Sequence, residues 1–370
     1  MKGIGVYIHI PFCIRKCNYC DFCSFAGREN DFFSYTKELC RRIELFAAQR
    51  QRRRAETVYF GGGTPTLLPI ECFEMLFDAI KTHFELDDSA EITVECNPAT
   101  VDEEYLRSLH VLGVNRLSIG AQSANENELV LLGRLHSFDD LCISFDCARR
   151  AGFDNISVDL MYGIPEQTFE SFSNTLEKTL SLEPDHISAY GLKIEDGTRF
   201  ASIRDTLALP DEDEEFEMYT LCRKMLEKRG YERYEMSNFS KVGKESRHNL
   251  RYWELEDYIG FGVAAHSCVD GVRFGNSRDI AAFLRGEDIT EERNAISDRE
   301  RMYESVMLGL RLQKGIPIER YCAYAQKEDK ALELVQKLVD AGYLLYDDGR
   351  ISFSDSGFFV SNAVLRELLN

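Results

Sequence analysis

The sequence predicts an α/β chain in three parts: a partial (β/α)6 TIM barrel over residues 1–195, a linker helix and mixed α/β region over 196–296, and a winged-helix-like unit over 297–370. Three observations predict it. From Ile4 to Lys193 strand and helix patterns alternate with short connections, which means a parallel sheet covered by helices. Chemically distinctive residues recur at the C-terminal ends of those strands, where such folds gather ligands. From Ser297 the pattern becomes helix, helix, hairpin and final helix.

Taken in order, Ile4 to Ile10 reads as a strand and is followed by a cysteine-rich loop and a helix from Phe32 to Arg53. Glu56 to Phe60 is the next strand and runs into Gly61-Gly62-Gly63; a helix covers Ile70 to Phe84. Glu91 to Cys96 is a strand, and Thr100 to Glu103 reads as a capping box for the helix after it. Asn115 to Gly120 is a strand, with helices at Glu126 to Leu132 and Asp139 to Ala151. Asn155 to Tyr162, a helix from Phe169 to Leu182, and a strand from His186 to Lys193 complete six units. Six units fit either a doubly wound sheet or an incomplete barrel, and the motifs below decide for the barrel. The polar stretch Glu195 to Asp213 reads as a linker before a helix from Glu214 to Arg229. Ser297 to Glu300 is a second capping box, Lys330 to Ala341 a helix, and Tyr343 to Phe353 a hairpin turning at Asp348-Gly349.

Composition narrows the function. Of 370 residues 44% are hydrophobic, enough for a globular core, and the net charge is −19. Such a surface repels phosphates, so nucleic acid is not expected as a partner, and the winged-helix-like unit reads as a packing or docking element. The basic run Arg50 to Arg54 reads as complementing a helix C-terminus. No signal peptide is recognisable, and no window approaches the ~18 apolar residues that span a bilayer, so the expectation is a cytoplasmic protein that is not integral to a membrane. Of 12 cysteines, eight are scattered and read as small buried hydrophobes.

The other four crowd into Cys13-Ile-Arg-Lys-Cys17-Asn-Tyr-Cys20-Asp-Phe-Cys23. The core pattern is C-x3-C-x2-C directly after a strand. Three thiolates on one loop can ligate three irons of a [4Fe–4S] cubane and leave the fourth iron open. A zinc knuckle is the competing reading, but zinc usually takes a second C-x2-C pair or histidines, and Cys23 lies too near Cys20 for a relaxed tetrahedron.

This signature resembles the radical S-adenosylmethionine (SAM) superfamily, and Gly61-Gly-Gly-Thr-Pro-Thr66 resembles its SAM amino-group motif. Over nearly the whole chain the sequence is similar to the oxygen-independent coproporphyrinogen III oxidase family, and within it to the HemW branch of haem chaperones. The stretches that carry the likeness include His9-Ile-Pro-Phe-Cys13, Tyr59-Phe-Gly-Gly-Gly-Thr-Pro-Thr66, Glu95-Cys-Asn-Pro98, Ser118-Ile-Gly-Ala-Gln-Ser123, Leu132-Gly-Arg134 and Asp159-Leu-Met-Tyr-Gly-Ile-Pro165. The resemblance implies a [4Fe–4S] cluster on Cys13, Cys17 and Cys20, with Tyr19 near the adenine of SAM. It implies Tyr7, Gly62, Gly63, Thr64, Glu95, Gln122, Arg134 and Asp159 as SAM-contacting positions. Arg134, read on a helix, competes with a surface ion pair.

The segment Arg247-His248-Asn249-Leu250-Arg251-Tyr252-Trp253 matches His-Asn-x-x-Tyr-Trp, which resembles the haem-binding motif of that branch and implies His248, Tyr252 and Trp253 as haem residues. The residues by themselves equally fit a turn-capping histidine and packed aromatics. His266 reads as a core histidine, with axial ligation as its alternative. Two departures from the oxidase count against porphyrinogen decarboxylation. Phe22 stands where that enzyme has a further cysteine, and the oxidase has an extension ahead of the first strand that is not seen before Ile4. The resemblance therefore implies a chaperone that binds haem and passes it to haem-acceptor proteins, such as respiratory enzymes at the membrane, and it admits a homodimer. The alternative is the oxidase itself, which would convert coproporphyrinogen III to protoporphyrinogen IX.

Overall fold

A computed structural model describes residues 3–369. Six parallel strands lie side by side in chain order: β1 (Ile4–Ile10), β2 (Arg54–Gly62), β3 (Glu85–Cys96), β4 (Arg116–Gln122), β5 (Ile156–Tyr162) and β6 (His186–Gly191). They are rich in fully buried Val, Ile, Leu and Phe, as parallel strands covered on their outer face by helices must be. Helices Phe32–Ala48, Ile70–His83, Glu103–Leu112, Phe138–Ala151 and Phe169–Leu180 provide that cover. Left-handed glycines Gly113 and Gly152 close two of them, at φ 116° and 104°, a conformation a Cβ would strain.

Among the described residues β1 and β6 do not pair, so the barrel stays open. Each edge is capped instead. β6 pairs antiparallel with β8 (Asn238–Ser240), which pairs with β7 (Glu232–Arg233). β1 pairs parallel with β9 (Tyr258–Phe261), and β10 (His266–Val269), β11 (Val272–Asn276) and β12 (Thr290–Ala295) extend the same sheet antiparallel. Residues 196–296 thus contribute to both edges of one twelve-stranded sheet. Capping both edges removes unpaired backbone that would otherwise template aggregation.

The C-terminal unit has its own core around Val306, Leu310, Ile351 and Phe353. Helices Asp298–Gly309, Ile318–Ala325 and Glu328–Asp340 precede a hairpin of β14 (Leu344–Asp347) and β15 (Arg350–Phe353), with β13 (Ile316–Pro317) on the other side of β15. This is the expected winged-helix order, and the Ser297–Glu300 capping box is present.

Three local expectations need correction. The helix Glu103–Leu112 is capped by Asp102, which accepts from Tyr105 N–H, while the Thr100 hydroxyl is engaged with Thr66 and the Asn97 carbonyl. The first helix ends at Ala48, short of the basic run; Arg50 lies 4.4 Å over the Phe46 ring and Arg53 pairs with Asp257 and Asp270. His266 is exposed rather than in the core.

Candidate functional site

Chain geometry sets the cysteine loop at the C-terminal ends of the strands. Cys13 follows β1 in a two-residue parallel pairing of Phe12–Cys13 with Phe25–Ala26, which closes the loop on itself. Cys13, Cys17 and Cys20 are half-buried; Cys23 is buried in the main core, and its Sγ lies 4.0 Å from the Arg278 carbonyl. Among the described residues no three acidic, His or Cys side chains close around one metal ion. In a cubane each thiolate bonds a separate iron, so its three cysteines need not close around one ion.

The donors around the sulfurs suit thiolate ligands. The Thr64 hydroxyl points at Cys13 Sγ at 3.8 Å, and the Arg134 guanidinium at Cys17 Sγ at 3.6 Å. Burial pushes the Cys13 thiol up and the Cys20 thiol up to about 11. Iron binding at these positions must therefore displace protons, as thiolate ligation does in general.

The glycine run is fixed by close approach. A Cβ on Gly63 would stand 2.5 Å from the Phe12 carbonyl, and one on Gly62, at φ 115°, would stand 2.5 Å from the His9 ring. The Gly63 and Thr64 amides pair with the carbonyls of Ile10 and Phe12, so this run also holds the base of the cysteine loop.

Glu95, at the end of β3, accepts from Tyr59 Oη at 2.8 Å and from Gly62 N–H at 3.0 Å. Burial pushes its carboxyl up to about 7, and the nearby Asp159 adds to this. Asp159 on β5 accepts from the Ser188, Ser118 and Ser157 hydroxyls at 2.7, 3.0 and 3.2 Å, and burial pushes it up as well. A carboxylate has about four lone-pair sites, so both acids keep capacity for a cationic or hydroxyl-bearing ligand. Tyr7 Oη bonds His9 Nδ1 at 3.0 Å, and its ring stacks on Tyr59 at 6.1 Å. Tyr19 packs against Leu132, Met161, Ile164 and Phe200.

Arg134 is not on a helix. It follows Gly133, the left-handed C-cap of helix Glu126–Leu132, and this turn aims the guanidinium inward. There it donates to Asn97 Oδ1 at 2.5 Å and to the Gly120 carbonyl. The Gln122 amide, Asn97 and Arg134 converge around Gly120, each within 3.3 Å of where a Cβ would lie. Gln122 itself has φ 68° at a register shift between β4 and β5, a strained backbone at a ligand-facing strand end. Asn97 went unassigned in the sequence, although it stands in the Glu95–Pro98 stretch. Arg116, fully buried between Glu91, Tyr59 and Asp159, carried no sequence signal, because an arginine inside a strand reads as exposed.

The His-Asn-x-x-Tyr-Trp segment forms helix Arg247–Trp253, capped by Ser246. His248 is 1% exposed. Its Nδ1 bonds Thr57 Oγ1 and its Nε2 bonds Tyr252 Oη, each at 2.8 Å, and its ring stacks on Tyr59 at 5.1 Å. Burial pushes the imidazole down to about 3, so it stays neutral. Tyr252 and Trp253 instead face a cleft of about 1180 Å³. That one cleft is bounded by Tyr19 and Cys20 at the barrel mouth, by Tyr252 and Trp253, and by Arg311 and Phe358 of the C-terminal unit. His266 lines a different hollow, beside Arg273 and Glu304.

The comparisons with known proteins bear on the family and the fold. The radical SAM superfamily profile matches residues 7–179, and the HemN C-terminal domain profile matches residues 296–360. The chain is 35% identical to the heme chaperone HemW of Lactococcus lactis subsp. lactis, over 100% of this chain and 98% of that protein. It is 34% identical to the heme chaperone HemW of Bacillus subtilis, over 99% of each, and 33% identical to that of Escherichia coli, over 100% of this chain and 99% of the relative. The solved structure of coproporphyrinogen III oxidase (HemN) from Escherichia coli, a radical SAM enzyme, superposes with a TM-score of 0.85 at 24% identity, over 99% of this chain and 90% of that one; it shares the fold. Among the described residues no helix is long and apolar enough to cross a membrane. Full-length identity at this level, on a fold that brings the cysteine loop and the strand-end polar residues to one barrel mouth, makes this chain a member of the HemW family of radical SAM proteins.

Proposed function

We propose that this protein is a haem chaperone that binds haem in the cleft and passes it to an acceptor apoprotein in the cytoplasm or at the membrane surface, respiratory enzymes among them. The observation that carries the reading is the single cleft running from Tyr19 and Cys20 to Tyr252 and Trp253, which joins a radical SAM mouth to a flat aromatic wall. The names of the relatives support it. In this reading residues 1–195 are the cofactor core, 196–296 carry the haem segment, and 297–370 close the cleft and meet the acceptor.

Cys13, Cys17 and Cys20 would hold the cluster, with SAM along Tyr7, Tyr19, Gly62, Gly63, Thr64, Glu95, Gln122, Arg134 and Asp159. Such a cluster supplies one-electron chemistry at an open iron. The chain's own residues do the rest. Glu95 and Asp159 suit the cationic and hydroxyl parts of SAM, and Arg134 suits a carboxylate while steadying Cys17. Tyr252 and Trp253 offer the porphyrin face its apolar surface. His248 supports them from beneath through Tyr252.

Arg134→Ala should weaken cluster retention by about 10–100-fold, the usual cost of losing an outer-shell partner. The rate of iron release to a chelator measures it; a rate equal to wild type would remove Arg134 from the site.

The functional test is anaerobic. Reconstituted protein is titrated with haem, and the Soret band is followed in wild type, Tyr252→Ala and Trp253→Ala. Saturable binding that each variant weakens about tenfold or more, with transfer to an apoprotein, is the expected outcome. Conversion of coproporphyrinogen III in the presence of SAM and a reductant, with no haem binding, would replace the chaperone reading by the oxidase.

A further inference from the structure

The cleft contains a guanidinium, that of Arg311, which no carboxylate among the described residues holds in an ion pair. Arg311 follows helix Asp298–Gly309 and reaches the cleft wall half-buried. One terminal nitrogen contacts the Met236 thioether at 3.4 Å and the other donates to Asn362 Oδ1 at 2.9 Å; both acceptors are neutral. Its Nε is buried with no hydrogen-bond partner. No carboxylate among the described residues makes an ion pair with it.

The other cations nearby are accounted for differently. Arg273 is held in a fork by Glu304 at 2.7 and 2.8 Å. Arg223 and Arg233 share Asp355. Lys193 and Arg366, which also line the cleft, are exposed, where solvent screens their charge. Glu235, whose charge acts on Arg311 without an ion pair between them, accepts from the Ser237 amide at 3.3 Å. Burial pushes its carboxyl up to about 7, so it is a poor standing counter-charge. A guanidinium that is partly withdrawn from water and held only by neutral acceptors is a carboxylate site awaiting its carboxylate.

We infer that Arg311 is the anion-recognition residue of the cleft and takes a carboxylate arm of a flat, apolar tetrapyrrole, a propionate of the haem cargo. This rests on the haem-chaperone reading and adds to it. The aromatic wall accepts the apolar ring, while Arg311, on the opposing C-terminal unit, sets the ring's orientation by reading its acidic edge.

The test compares haem with its dimethyl ester, in which the propionates are uncharged. Soret titrations use full-length, anaerobically reconstituted protein. Wild type is expected to bind haem about 10–100-fold more tightly than the ester. Arg311→Gln should lose that preference while binding the ester as wild type does. Arg311→Lys should keep part of it, having the charge but not the fork. Arg366→Gln should keep all of it. A full preference retained in Arg311→Gln, or none in wild type, overturns the assignment and leaves haem binding intact. Failure of wild type to bind either porphyrin overturns the haem reading as well. Should Arg311→Gln not fold, a haem-to-ester ratio in Arg311→Lys equal to that of wild type overturns the assignment, and a reduced ratio supports it.

Discussion

Serine at Cys13, Cys17 or Cys20 is expected to abolish the iron–sulfur absorbance of anaerobically reconstituted protein, whereas Cys23→Ser leaves it in place. Iron content should fall from about four per chain to near zero in each of the three variants. The reason is positional. The three half-buried sulfurs stand on the loop at the barrel mouth, two of them facing the donors Thr64 and Arg134. Cys23 is turned into the core, and its carbonyl accepts from His9 Nε2 at 2.8 Å. Serine there exchanges a weakly polar sulfur for a hydroxyl in an apolar site. The expected cost is about 1–3 kcal/mol of stability, read by denaturant unfolding. Loss of iron in Cys23→Ser with retention in Cys20→Ser would transfer the third ligand to Cys23.

His248→Ala should unfold the barrel floor locally and lower stability by about 3–5 kcal/mol, because it empties a buried ring site and strands two hydroxyls. Those hydroxyls belong to Thr57 and Tyr252. Haem affinity should fall with it, through the displaced Tyr252. His248→Gln separates the two effects, since its amide can bond at least one of the hydroxyls. If haem binding vanishes in His248→Gln while stability is retained, His248 contacts the haem directly and must leave its buried pocket to do so. The acid limb of the stability curve is a second readout. His248 is pushed down to about 3, and His9 and His136 to about 4, each chiefly by burial. A histidine held neutral in the fold binds its proton only on unfolding. Its stabilising contribution is therefore present above the unfolded value near 6.5 and is lost as pH falls from there toward the folded value. His248→Gln should remove about one proton from the uptake on unfolding, flattening the slope between roughly pH 6 and 4 by up to about 1.4 kcal/mol per pH unit. An unchanged slope would mean that His248 is not neutral in the fold.

Much of the site was legible because its signals are local. Spacing alone brings Cys13, Cys17 and Cys20 together on one loop, and the motifs that carry the family resemblance single out Glu95, Gln122 and Asp159 at or just after strands. What was not legible is long-range. That β9 joins the free edge of β1, so that residues far apart in sequence share one sheet, is a pairing with no short-range signature. That pairing brings helix Arg247–Trp253 against β2 and buries His248 between Thr57 and Tyr252. Arg134 was read on a helix although the Glu126–Leu132 pattern stops before it; the left-handed Gly133 closes that helix and Arg134 lies in the turn beyond.

The sequence by itself determined the order of elements and the placing of three cysteines on one loop, since each depends on spacing within a single strand, loop or helix; the polar positions at the barrel mouth were implied by the family resemblance. Only the tertiary structure decided that the histidine of the 248–253 segment is buried while its aromatics line the cleft, and that Arg311 lines the same cleft with no ion-pair partner among the described residues. Burial and charge pairing are properties of neighbours brought together from distant parts of the chain. They shift hydrogen bonding, ionisation and exposure by amounts that no local pattern encodes.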